Sequence, residues 1–397
     1  MITPITDGSK KDWKTILLTL FLSICAVLVF FIALALSLLG ISAPSNSLSL
    51  LMLAAGTLTM AGLLIPGIIL NIRKVLNQPE LSFSLPPLDD RVLLPSITIV
   101  WIICLVIGQR VSDVPITSNL LLPILNIFGV SFPILFYLRI SLRNLRLPNP
   151  LKGWSLFGAS ILVSPLLAFI LEGILIGLIA IVFMVSANYQ PGLQATFGKV
   201  FNYLINNIEN QDEALHIMAN ILFSSGVGFS IFAIFCVAVP IIEEIAKIIL
   251  IIPILKSIDR PINGYVLGIF CGAAFAFVEN LGFTSSGSSD WVLNAMTRST
   301  AALPHIFNSG MLGWALVAAW RDHKYWNLAK TFLAAILIHG TWNAVSLGFS
   351  ISALYQSFDG VPAIFQSSFS WLAGWIMLTV GVFLGLIFIN FEFYRCE

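Results

Sequence analysis

Charge is what this chain most lacks. Aspartate, glutamate, lysine and arginine make up 10% of its 397 residues, against 58% hydrophobic residues. A soluble chain of this length carries roughly a quarter charged residues to cover its surface, so this one is solvated by lipid. No basic block stands outside the short loops, and a formal charge of +1 offers nothing to nucleic acid. Cysteine is scarce as well. The five present (Cys25, Cys104, Cys236, Cys271, Cys396) are scattered, four of them in apolar runs, with no Cys-x-x-Cys pair. That argues against a disulfide framework and against a cysteine zinc site. A small-residue cleavage site after a short apolar core is also missing. The first run starts near Lys14 and continues to about residue 40, so it reads as a first membrane span rather than a removable signal.

What is abundant is long apolar runs. Ten are long enough for a hydrocarbon core, near 14–40, 48–71, 92–112, 118–139, 155–186, 221–255, 262–284, 290–320, 326–349 and 366–391. Such a core needs about 20 residues of helix. Backbone groups in lipid must be satisfied internally, so the expected fold is all-α, a polytopic transmembrane helical bundle. The fifth and sixth runs are over-long, which predicts tilt, a break or a re-entrant piece in each. Lys10, Lys11, Lys14, Arg73, Lys74, Arg91, Arg139, Arg143, Arg146, Lys152, Lys256, Arg260, Arg321, Lys324, Lys330 and Arg395 all fall on one side when ten spans are counted. The alternate loops hold only Arg110 and Lys199. Both termini are therefore expected in the cytoplasm. The external loop 187–219 contains an amphipathic stretch, 197–218, read as a surface helix or cap. The first four spans hold almost no internal charge, which divides the chain into an N-terminal accessory bundle (1–153) and a C-terminal bundle (154–397) whose polar core lies at 220–349. No internal repeat relates the two halves.

An ionisable side chain at mid-bilayer costs about 2.5–3.5 kcal/mol on insertion scales, so each one needs a reason. The sixth span carries Glu243, Glu244 and Lys247, and the seventh Glu279 and Asn280. The eighth carries Arg298 and His305, the ninth His339 and Asn343. At 1.5 Å per residue from the nearest basic flank, Glu243 lies ~19 Å deep, Glu279 ~22 Å, His305 ~24 Å and His339 roughly 14–16 Å. Two carboxylates and two imidazoles thus reach about the same level from four helices, which points to one site. Lys247 follows Glu243 by four residues and Glu244 by three, so its ammonium can lie between both carboxylates. His339 and Asn343 share a face, and Gly340 allows close backbone approach. Pro240 suits the first turn of a helix and predicts a break there, with Glu243 near the positive end of an inner half-helix. Pro304 predicts a kink beside His305. Glu172, the acid inside the fifth span, has no partner spacing and reads as structural.

The chemistry such a cluster supports is water activation. Adjacent buried carboxylates and a histidine can act as base, acid or oxyanion donor. Alternatively, Glu243, Glu279, His305 and His339 can supply ligands for one divalent metal, zinc by donor type, with an open water position. Residue types alone leave both routes open, and both lead to hydrolysis of an acyl bond.

At these residues the chain resembles the PrsW family of bacterial intramembrane proteases, part of the wider superfamily of CAAX-prenyl endopeptidases and bacteriocin-immunity proteins. The resemblance rests on Glu243-Glu244-Ile-Ala-Lys247, on Phe275-Ala-Phe-Val-Glu279-Asn280, on His305 with upstream Arg298, and on His339 followed by Asn343. It covers about 220–349. Where the CAAX enzymes have Glu-Glu-x-x-x-Arg and Phe-x-x-x-His, this chain has Lys247 and Glu279, which places it on the PrsW side. The resemblance implies an endopeptidase of the cell membrane acting on a membrane-bound protein such as an anti-sigma factor. Its catalytic residues would be Glu243, Glu244, Glu279, His305 and His339, supported by Lys247, Asn280, Arg298 and Asn343. An ion- or proton-coupled transporter and an inactive scaffold or immunity-type protein are the competing readings, since buried acids and histidines also build proton relays.

Overall fold

The computed structural model describes residues 12–43, 46–79, 89–112, 114–145, 149–189, 223, 225–285, 291–355 and 361–395. The amphipathic stretch 197–218 and most of the external loop 187–219 lie outside them. The described residues form helices: α1 (Trp13–Ser42), α2 (Ser47–Val75), α3 (Asp90–Ser112), α4 (Pro115–Ser141) and α5 (Pro150–Tyr189). A distorted segment follows: α6 (Ser225–Ala233), a π-helical turn (Ile234–Ala238), α7 (Val239–Ile248) and a 3₁₀ stretch (Ile249–Ser257). The chain closes with α8 (Pro261–Thr284), α9 (Trp291–Asp322), α10 (Tyr325–Tyr355), a short 3₁₀ turn and α11 (Ser368–Arg395).

Eight of these helices, α1 to α5, α8, α10 and α11, are long and apolar enough to cross a membrane. The other two expected spans depart from a plain apolar helix for visible reasons. The segment 225–257 is divided into four pieces of three helical types. Helix α9 is long, at 32 residues, but carries small and polar side chains that face protein instead of lipid. It lies antiparallel along α8, as the backbone approaches Gly264 to Gly313, Gly268 to Ser309 and Gly272 to His305 show. A Cβ on any of these three α8 glycines would collide with an α9 carbonyl. Glycine at every fourth position is what lets two membrane helices touch backbone to backbone. The most apolar stretch of α8 is 72% buried, against 6–39% for the other seven, so α8 is the central helix.

Of the tilt, break or re-entrant piece expected in the over-long fifth run, a break is not found: α5 runs unbroken through Pro165 as one continuous helix. The sixth segment is not broken at Pro240 either. Both residues flanking the π turn keep right-handed helical dihedrals, and the helical path is continuous. Proline lacks the N–H that the helix would use, and the Val239 N–H reaches back to Ile234 in a wider turn. The Phe235 carbonyl that this frees accepts from Asn343 Nδ2 of α10 at 2.9 Å. A neighbouring helix thus satisfies a backbone group that lipid would leave bare.

The basic helix ends meet on one face. Lys74 pairs with Asp12 at 2.9 Å, and Asn71 donates to Ser155 at 2.6 Å. Lys152 reaches the Ser257 carbonyl at 2.7 Å, Arg321 the Ile258 carbonyl at 2.9 Å, and Arg139 and Arg143 both pair with Asp90. Asn390 donates to the Ser141 carbonyl at 2.8 Å, tying the last helix to the same face. The Lys74 ammonium, with the Thr15 hydroxyl and N–H, holds the Asp12 carboxyl well below the usual range. The first four helices share packing with the rest: Val130 and Ile134 sit in one cluster with Tyr265, Ile269 and Ile306. Trp291 buries itself among Met52, Leu105 and Leu122, its indole donating to Asn126.

Candidate active site

Helix α7 is a short amphipathic helix of 10 residues whose inner face is charged. Glu243, Glu244 and Lys247 are all buried, and Lys247 and Glu244 are fully so. The Lys247 ammonium lies 3.1 Å from Glu243 Oε2 and 3.0 Å from Glu244 Oε1, the clamp that the i+3 and i+4 spacing predicts. The Phe275 ring of α8 covers the ammonium, its centroid 4.5 Å away. A cation held between two carboxylates and capped by an aromatic face neutralises what would otherwise be two uncompensated buried charges.

Two histidines enter from α9 and α10. Their rings meet edge to face, centroids 5.1 Å apart. His339 Nδ1 stands 2.8 Å from Glu244 Oε1, and this contact assigns the proton to Nδ1 and leaves the Nε2 lone pair facing Glu243 Oε2 at 3.7 Å. His305 is arranged the same way with its nitrogens exchanged. Its Nε2 is 2.7 Å from Glu279 Oε2, on a bent approach, and its Nδ1 is 4.0 Å from Glu243 Oε2. Glu279 is itself paired with Arg298 at 2.8 Å. Arg298 is held in turn: its Nε donates to Asn280 Oδ1 at 2.9 Å, Asn280 donates back to the Arg298 carbonyl, and the guanidinium stacks on Phe283.

The structure therefore brings Glu243, Glu244, Glu279, His305, His339 and Lys247 into one cluster, with Arg298 and Asn280 around Glu279. Asn343, expected among the supporting residues, reaches the cluster only indirectly. Its amide goes to the Phe235 carbonyl of the π turn, so it orients backbone and not a histidine. Gly340, beside His339, rests its bare Cα face on the Cys236 carbonyl of the same turn. Two residues one turn apart on α10 thus grip the distorted turn that leads into Glu243.

Glu243 Oε2, His305 Nδ1 and His339 Nε2 converge, with all three donor atoms within 4.8 Å of one another. Glu243 Oε2 and His305 Nδ1 are buried with no hydrogen-bond partner among the described residues; the Lys247 ammonium is close to the former but off the hydrogen-bonding direction. Buried lone pairs are rarely left unused. Tetrahedral zinc ligands stand about 3.3 Å apart, so the observed 3.7 and 4.0 Å need only a small contraction around an ion. Each imidazole is also braced from behind by a carboxylate, as metal-bound histidines usually are. The donor set fits a divalent metal. Glu279 contributes from behind His305 and not as one of the converging three.

Glu243 and Glu279 line a cavity of about 950 Å³ with mostly apolar walls. Its rim includes Leu166, Phe169, Phe283 and Leu293, which are exposed and would meet lipid. Among the described residues the cavity thus opens sideways into the bilayer. Sequence reasoning treated Glu172 as structural, yet it lines this same cavity. It also passed over the α8 glycines, although Gly264, Gly268 and Gly272 recur at every fourth position.

A helical bundle with a buried carboxylate–imidazole centre, open to lipid through an apolar cavity, is the architecture of a membrane-embedded hydrolase. The family model described as PrsW family intramembrane metalloprotease matches residues 157–371, more than half of the chain, and the chain belongs to that family. It is a multi-pass membrane protease, with lipid as its surroundings and a membrane protein as its substrate. Neither the curated proteins nor the solved structures compared with this chain match it. Nothing in the geometry or the family favours a transporter or an inactive scaffold.

Proposed function

We propose that Glu243, His305 and His339 bind one divalent metal, zinc by donor type, and that hydrolysis of a substrate peptide bond takes place beside this trio, where Glu243 and Glu279 line the cavity. The observation that carries this is the convergence of three lone pairs, two of them buried and unpartnered. A bound zinc ion supplies polarisation of a carbonyl oxygen and of water at neutral pH.

The remaining roles follow from contacts. Glu244 and Glu279 fix the tautomer and ring plane of His339 and His305, leaving one lone pair of each pointing inward. Lys247 holds Glu243 and Glu244 together without occupying the lone pair used for binding. Glu279 lines the cavity beside the donor trio and is placed to take a proton from water and return it to the leaving amine. Arg298, fixed by Asn280, sets the position of Glu279. Asn343 secures the π turn before Glu243. The apolar walls suit a membrane segment, and a membrane-bound protein such as an anti-sigma factor is the substrate type the family resemblance suggests.

The test is elemental analysis of purified protein together with cleavage of a membrane-tethered reporter in vesicles. About one metal per chain, lost with activity in His305→Ala and His339→Ala, is expected. Full cleavage by metal-free protein would overturn the proposal.

A further inference from the structure

Among the described residues, every other acid within the helices has a cation or an imidazole against it. Glu243 and Glu244 share Lys247, and Glu279 has Arg298 and His305. Glu172 does not. It is the only acid in α5, a helix whose one other charged residue is Lys152 near its start. Its Oε1 is buried with no hydrogen-bond partner among the described residues. A carboxylate placed in a span without a partner has no structural return for its cost.

Its position is informative. One turn before it, Ala168 packs in a cluster with Ala246, Ile242 and Phe275. Glu172 lies four residues beyond Ala168 on α5, and Glu243 three residues before Ala246 on an antiparallel segment. The two therefore stand at nearly the same depth, and both line the cavity. Around Glu172 the α5 wall is apolar: Pro165, Leu166 and Phe169 precede it along the same stripe. A substrate segment seated here brings its side chains over this carboxylate. An apolar side chain would strip away whatever solvates Glu172 and offer nothing in exchange. A donor side chain would restore the missing hydrogen bond, and a cationic one would form a charge-assisted pair in an apolar surround.

We propose that Glu172 is a specificity-determining residue of the protease, selecting substrate membrane segments that carry a hydrogen-bond-donating side chain, cationic ones most strongly, close to the scissile bond. This rests on the assignment of the cavity as the substrate site. The residue acts as much by rejecting uniformly apolar segments as by attracting the donor.

The experiment uses the full-length protein in vesicles and a reporter whose membrane segment is apolar except at one position. That position is scanned near the cleaved bond and varied among Lys, Asn, Leu and Asp. The wild type should favour Lys over Leu in kcat/KM by at least about tenfold at one position, with Asn between them and Asp lowest. Glu172→Leu should bring the Lys-to-Leu ratio within about twofold of one while cleaving the Leu reporter at least as fast as wild type. Glu172→Gln should keep the Asn reporter and lose the advantage of Lys. A wild type that cleaves all four reporters equally overturns the proposal without using any variant. So does a uniform loss across the four reporters in Glu172→Gln, which would make the residue part of the chemistry or of the architecture. A wild type that cleaves none defeats the protease reading itself, an outcome separate from either.

Discussion

Adding one methyl group at Gly340 should damage catalysis far more than it damages folding. A Cβ there would point at the Cys236 carbonyl, well inside the 3.0 Å limit that real Cβ contacts respect, and the obstacle is backbone, which cannot rotate away. The two backbones must then separate by about 1 Å, because a close-packed interior has no slack to absorb the group. That movement carries His339, the adjacent residue, away from Glu243, from which it now stands 3.7 Å. A misplacement of about 1 Å in a reacting constellation costs on the order of 10²-fold in rate. The stability change is smaller. Overpacking costs about 1–3 kcal/mol, while alanine recovers up to about 1 kcal/mol of helix propensity over glycine. Gly340→Ala should therefore lose roughly a hundredfold in reporter cleavage with a net stability loss of about 2 kcal/mol or less. Gly282→Ala is the control, since a Cβ at Gly282 meets nothing within 4 Å. The assay is vesicle cleavage run beside thermal unfolding and metal content. Cleavage by Gly340→Ala within about threefold of wild type would refute the claim that this contact sets the distance between the π turn before Glu243 and α10.

Other expectations are as direct. Glu243→Gln keeps the size of the side chain but not its charge; cleavage should fall by about 10²–10⁴-fold and metal content should drop, while the protein still inserts and folds. Near-normal cleavage would remove Glu243 from the mechanism. Lys247→Met strands two carboxylates in a fully buried site, so it should lose about 3–5 kcal/mol of stability along with activity, read as a lowered unfolding temperature. Chelation should abolish cleavage and added zinc should restore it, and activity that survives exhaustive chelation counts against the metal assignment. A reporter fused after Glu397 should read as cytoplasmic, together with the loops near Arg143 and Arg260. An external reading would overturn the ten-span count.

The amino-acid sequence by itself determined the class of fold and the membership of the polar cluster. Long apolar runs with little charge can only be membrane helices, because lipid leaves no other way to satisfy the backbone. Charged and imidazole side chains inside such runs are costly enough that their presence marks them, and the Glu-Glu-x-x-Lys spacing fixes the Lys247 clamp through helix geometry alone. Depth along a helix is also countable in sequence, which is why Glu243, Glu279, His305 and His339 could be expected at one level.

Rotation about the helix axis and contact between helices are not countable in that way, and the tertiary structure decided them. It brought one donor atom each of Glu243, His305 and His339 within 4.8 Å of one another, with Glu244 and Glu279 beside the histidines. It turned the expected break at Pro240 into a π turn, because Asn343 on another helix was available to take the freed Phe235 carbonyl. It also placed Glu172, which looks isolated along its own helix, at the wall of the cavity that reaches Glu243. Each of these depends on which side chains of distant segments meet, and spacing within one helix carries no information about its neighbours.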